Sequence, residues 1–191
     1  IGDKHVPWIH NVKNTDMIID IDDADSMAMI RLFNEPAGQE FLRKSGISET
    51  FMESLPLIGI SGAANILMAI KMAKYYELSE QDVIITVLTD SMEMYGSRVK
   101  EMEEEMGPYT EMDAAIDLHQ HVFGVGIDYM QELSYYDRKR IHNLKYYTWV
   151  EQQGKTSEEL NDQWYDYDAY WGSIHKMADA IDERIDEFNR L

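Results

Sequence analysis

The sequence predicts an α/β protein, part of a parallel sheet followed by a helical carboxy-terminal extension, and three observations carry that reading. Residues 17–21, 55–60 and 83–88 are short apolar runs without strict alternation, as expected of strands covered on both faces. Segments with helical spacing separate them, which favours parallel strands joined by right-handed crossovers. Beyond Gly107-Pro108 only helical patterns remain.

Taken in order, residues 1–15 read as a loop and 17–21 as the first strand. Asp22 and Asp23 offer a cap to a helix whose apolar stripe is Met27, Ile30 and Phe33, and Glu35-Pro36-Ala37-Gly38 stops it. A Ser- and Glu-rich connection spans 39–54. The second strand, 55–60, runs into Ser61-Gly62-Ala63-Ala64-Asn65, a small-residue turn opening a helix with Ala63, Ile66, Ile70 and Ala73 in register. The first turn of that helix has free N–H groups suited to an anion or a polar cofactor edge. The third strand, 83–88, ends in Thr89, Asp90 and Ser91, where an α/β enzyme gathers its polar contacts.

In the second half, Thr110 with Asp113 and Ser134 with Asp137 form capping-box patterns. The final helix aligns Ile174, Met177, Ile181, Ile185 and Phe188. Nine of the 12 tyrosines and three of the 4 tryptophans lie beyond residue 107, a composition suited to packing against another subunit or domain, with Trp164, Tyr167 and Trp171 expected to be buried there. The sequence therefore divides at about 106/107, into an α/β part, 1–106, and a helical extension, 107–191.

Composition narrows the function. A net charge of −19, from 36 acidic and 17 basic residues, opposes nucleic acid and anionic membranes. No apolar stretch reaches membrane-spanning length, and the absence of cysteine removes disulfides, thiolate metal ligands and a cysteine nucleophile. A cytoplasmic location is the expectation. Asp20-Ile21-Asp22-Asp23-Ala24-Asp25 has the spacing of a calcium loop without its sixth-position glycine, so helix capping explains it more simply. His119 and His121 are two apart and poorly placed to chelate together. Glu101 to Glu105 reads as a solvated helix face, and the 13 methionines as core filler.

Three ordered segments resemble the fold type II pyridoxal-phosphate enzymes, cysteine synthase most closely. Ile1-Gly2-Asp3 resembles the end of a Gly-Ile-Gly segment, and Gly59-Ile60-Ser61-Gly62-Ala63-Ala64 resembles Gly-Ile-Ser-Ser-Gly-Ala-Ala. Leu88-Thr89-Asp90-Ser91-Met92-Glu93-Met94-Tyr95 is similar to Leu-Pro-Asp-Ser-Gly-Glu-Arg-Tyr. The likeness covers roughly the first hundred residues and the last part of the family's fold. It implies a pyridoxal 5′-phosphate cofactor contacted by Gly2, Gly59, Ser61 and Ser91, with Lys4 and His5 as candidate substrate contacts. It also implies β-replacement on an amino acid of the O-acetylserine type.

The family's Schiff-base lysine context, Ser-x-Lys-x-Arg, and its Gly-Thr-Gly-Gly-Thr phosphate loop are absent. Lys4, Lys13, Lys44, Lys71, Lys74 and Lys100 stand in other contexts. The expectation is a carboxy-terminal portion or one chain of a divided enzyme, inactive alone, completed by an amino-terminal part or partner chain and forming a homo-oligomer. Threonine synthase-like or lyase activity is the alternative within enzymes, and a non-catalytic assembly or binding subunit the alternative outside them.

Overall fold

The computed structural model describes residues 5–190, and these form two compact units: 19–131, and 5–18 with 132–190. The chain is 65% helical. Its strands among the described residues are β1 (Met17–Ile19) and β2 (Met130–Glu132), which pair antiparallel as a two-stranded sheet.

Unit one is a helical cluster around α1 (Asp23–Asn34). Asp22 caps α1 by accepting from the Ala24 N–H at 2.8 Å, and Asp23 and Asp25 place negative charge in its first turn. Glu35 turns the chain out of helix, and Pro36, which needs no donor at a first helical position, starts α2 (Pro36–Lys44) at once. The α1–α2 corner is tight: a Cβ at Gly38 would overlap the Leu32 carbonyl. Next come α3 (Glu49–Met52), a 3-10 turn at Leu55–Leu57, and α4 (Ile60–Tyr75), which packs on α1.

A second 3-10 turn, Met92–Met94, leads into α5 (Gly96–Met106), which ends at Gly107 with φ 83°, a left-handed conformation that suits glycine. The Thr110–Asp113 capping box forms and opens α6 (Glu111–Asp117), which continues as a π-helical turn at Leu118–Phe123. Met29, Ile30, Leu32, Leu55, Leu67 and Met102 are the fully enclosed centre of this unit.

Unit two is built on α7 (Tyr135–Lys145), opened by the Ser134–Asp137 capping box and prolonged by a π-helical turn at Tyr146–Val150. It is followed by α8 (Ser157–Tyr165), capped by Thr156, α9 (Tyr167–His175), capped by Asp166, and α10 (Ala178–Asn189). The 3-10 turn Val12–Asn14 packs on α7, with Val12, Leu133 and Ile141 as a small apolar cluster. Trp164 and Trp171 are buried among residues of their own unit, whereas Tyr167 and the α10 stripe Met177, Ile181, Ile185 and Phe188 are exposed.

The parallel sheet is not formed. Of the three expected strands, only 17–19 is one, and its partner is 130–132, from the half expected to add no strand. Residues 55–57 form a 3-10 turn that Pro56 favours by its set φ and missing donor, and Ile60 already belongs to α4. Residues 83–88 have no regular structure. A strand needs main-chain partners as well as apolar side chains, and a local pattern supplies only the second.

Candidate functional site

The second and third of the resembling segments meet in unit one, although no sheet carries them. Gly59 is the extended residue before α4, and its N–H donates to the Asp90 carbonyl at 3.0 Å. The approach depends on glycine: a Cβ there would lie 2.6 Å from the Asp90 carboxylate carbon and 3.0 Å from its carbonyl carbon. The 3-10 turns on either side, Leu55–Leu57 and Met92–Met94, pack together and bury Leu55 and Met92. The amino end of α4 is thereby held against 88–91.

Within this junction the polar side chains differ in commitment. Asp90 accepts from the Tyr95 hydroxyl at 2.5 Å, and that hydrogen bond is the main cause holding the phenol above its ordinary pKa. Ser61 and Ser91 are half-buried, and among the described residues neither hydroxyl has a hydrogen-bond partner. Ala63 is the first residue of α4 whose N–H returns to Gly59, so the N–H groups of Ile60, Ser61 and Gly62 open onto the same place. The arrangement offers N–H donors and two free hydroxyls.

Of the remaining sequence candidates, Gly2 and Lys4 lie outside the described residues. His5 belongs to unit two, where its ring stands edge-on to Trp149 at 5.5 Å.

A second polar cluster in unit one was not expected from the pattern of residues. The π-helical turn presents His121, whose Nδ1 lies 2.5 Å from Asp25 Oδ1, while Nε2 is 4.0 Å from Asp117 Oδ1. Tyr109 donates to Asp117 at 2.6 Å and lies under the Arg31 guanidinium at 4.7 Å. Burial raises the pKa of Asp117 and is also the largest cause raising that of Tyr109.

His121 borders two cavities, one of about 420 Å³ with Asp20, Asp25, Lys71 and Tyr129, the other of about 330 Å³ with Arg31, Tyr109 and Asp117. Lys71, its side chain 6% exposed, donates to the Asp20 carbonyl at 3.4 Å and lies 3.7 Å from Asp128. Asp22 serves as the α1 cap and His119 stands against Phe123, so neither the acidic run nor the histidine pair acts as a unit. Among the described residues no three His, Asp or Glu side chains are arranged to hold a metal ion. The pairing of Asp25 with His121 spans 96 residues and leaves no local sequence signal.

A concavity of about 600 Å³ in unit two is lined by residues that include Arg140, Leu144, Tyr146, Tyr147 and Leu160. No single helix among the described residues is long and apolar enough to cross a membrane. Comparison with family models, curated proteins and solved structures finds no match for this chain.

Proposed function

We propose that the Gly59–Ser91 junction contacts the ring edge of a pyridoxal 5′-phosphate cofactor, and that the chain is part of a β-replacement enzyme of amino-acid metabolism. The observation that carries the reading is the hydrogen bond from Gly59 to Asp90, which joins two of the three segments on which the resemblance rests. The junction suits the group. Ser91 has an uncommitted hydroxyl for the pyridine nitrogen, Asp90 is engaged by Tyr95, and the open N–H groups of α4 suit the cofactor's anionic edge. In the His121 cluster, by contrast, His121, Asp25, Asp117 and Lys71 are each already engaged by a protein partner.

The cofactor supplies the electron sink for loss of the β-substituent. Ser91, being uncharged, leaves the ring nitrogen without the opposite charge that would favour a pyridinium, a milder setting suited to elimination and replacement. Asp90 acts through position: bound to Gly59 and Tyr95, it sets the direction in which Ser91 faces. The reading gives the cofactor-anchoring lysine to polypeptide other than this chain, because no lysine here stands in the family's context.

Pyridoxine 5′-phosphate lacks the aldehyde that would react with surface lysines, so calorimetric titration with it tests the junction alone. Saturable binding is expected, weakened about fivefold by Ser91→Ala for one lost hydrogen bond. Gly59→Val, which forces Asp90 away, is expected to weaken it further. Absence of saturable binding, or equal affinity in Ser91→Ala, would remove this function.

A further inference from the structure

Arg138, Lys139 and Arg140 are three consecutive bases in α7, and unit two commits only the first two. Arg138 donates to the Thr15 carbonyl and to Asp16, each at 2.7 Å, and the Lys139 ammonium lies over the Trp164 and Tyr165 rings at 4.6 and 4.4 Å. Arg140 has no carboxylate or hydrogen-bond partner among the described residues. It lines the concavity of about 600 Å³ instead, a volume within the range of small-molecule sites. Two helical faces build that concavity. Arg140, Asn143, Leu144 and Tyr147 follow at i, i+3, i+4 and i+7 along α7 and its π-helical turn, and Leu160 and Asn161 answer them from α8. Leu160 is buried, whereas Leu144 and Tyr147 are 44% and 60% exposed, so apolar surface is left facing water. Tyr146 stands edge-on to the Tyr147 ring at 5.8 Å. The amides of Asn143 and Asn161 have no hydrogen-bond partner among the described residues.

Charge narrows the occupant. In a chain with 36 acidic and 17 basic residues, no aspartate or glutamate is among the residues that line this concavity. One uncompensated guanidinium, two amides and an apolar wall are complementary to an oxyanion on a hydrocarbon body, because the guanidinium fork meets a carboxylate with two parallel hydrogen bonds. A single positive charge also matches a monoanion. The second charge of a phosphate would be left to face the field of a chain carrying −19. We propose that this concavity is a binding site for a small arylalkyl carboxylate. Arg140 takes the carboxylate, Asn143 and Asn161 donate to its remaining lone pairs, and Leu144, Leu160 and Tyr147 cover the hydrocarbon. The site lies within unit two and rests on no part of the cofactor reading.

Hydrocinnamate, its uncharged amide and phenethyl phosphate separate the charge from the body it is attached to. Calorimetric titration is expected to give saturable binding of the carboxylate with a Kd on the order of 10⁻⁴ M. The amide is expected to bind about tenfold more weakly, and the phosphate severalfold more weakly. In amide correlation spectra the carboxylate is expected to shift resonances within 140–147 and 157–161, which places the site. Arg140→Gln is expected to weaken the carboxylate about tenfold and leave the amide unchanged, whereas Tyr147→Ala weakens both alike. Both side chains are exposed, so the tryptophan transition in urea is expected to stay in place. No saturable binding, an amide or phosphate held as tightly as the carboxylate, equal affinity in Arg140→Gln, or shifts confined to other residues would each overturn the proposal.

Discussion

The fully enclosed centre of unit one is hydrocarbon, whereas that of unit two holds polar atoms among aromatic rings. At the centre of unit one stand Met29, Ile30, Leu32, Leu67 and Met102, whose packing is non-directional and tolerates modest adjustment. At the centre of unit two stands Lys145, wholly enclosed, donating to the Trp8 carbonyl at 2.9 Å, the His10 carbonyl at 2.6 Å and Gln163 Oε1 at 2.8 Å. The Trp8 and Trp171 rings each lie 5.8 Å from its ammonium. Burial lowers its pKa to about 8, and among the described residues no carboxylate offsets the cost.

His142, donating to the Leu160 carbonyl at 2.9 Å, and Gln163 continue this network. Such an interior requires each partner to be present, because an orphaned buried acceptor costs more than a made hydrogen bond returns. An apolar core distributes its stability over many contacts, and a polar core concentrates it in a few.

The strongest break in that contrast is Lys145→Met, which keeps the bulk but leaves the His10 carbonyl and Gln163 Oε1 without a donor and the Trp8 carbonyl with Gln163 alone. It is expected to cost unit two about 4 kcal/mol. All four tryptophans, Trp8, Trp149, Trp164 and Trp171, belong to unit two, so urea unfolding followed by tryptophan fluorescence reads this effect alone. In unit one the counterpart is Leu32→Ala, expected to cost about 3 kcal/mol through lost burial and a residual cavity, without moving the tryptophan transition at the outset.

Acid separates the units by sign. The His142 pKa lies at about 4, held below its ordinary 6.5 first by burial, so the unfolded state binds more protons between those values. Unit two is therefore expected to lose on the order of 3 kcal/mol as pH falls through that window. His142→Gln, which keeps an N–H donor, is expected to flatten the slope. Asp117 of unit one has a raised pKa, so its contribution is present at low pH and lost as pH rises through the folded value. Unfolding at pH 7 and pH 4.5 with probes on each unit checks both signs.

Smaller effects sharpen the comparison. Thr110→Ala in unit one and Ser134→Ala in unit two remove equivalent capping boxes, and each is expected to cost about 1 kcal/mol by thermal unfolding. Ile181→Lys, on the exposed stripe of α10, is expected to change stability by no more than about 0.5 kcal/mol. A larger loss would mean that α10 contributes to the core of unit two.

What the amino acids decide alone is local. Asp22 caps the first helix, Pro36 divides it from the second, and Thr110 with Asp113 and Ser134 with Asp137 open helices, because each device acts over three or four residues. The meeting of Gly59 with Asp90 is legible only in part. Both segments carry small or polar residues after apolar runs, yet nothing local brings them together, and the hydrogen bond between them spans a whole helix. Tertiary structure alone decided the rest. Residues 55–57 and 83–88 had the composition of strands but no strand partner among the described residues, so one became a 3-10 turn and the other stayed unpaired, while 17–19 found 130–132 far along the chain. Likewise, no spacing rule marks Asp25 for His121 or Lys145 for Trp8, because helix and strand periods describe the face of one element and these pairs join residues 96 and 137 apart.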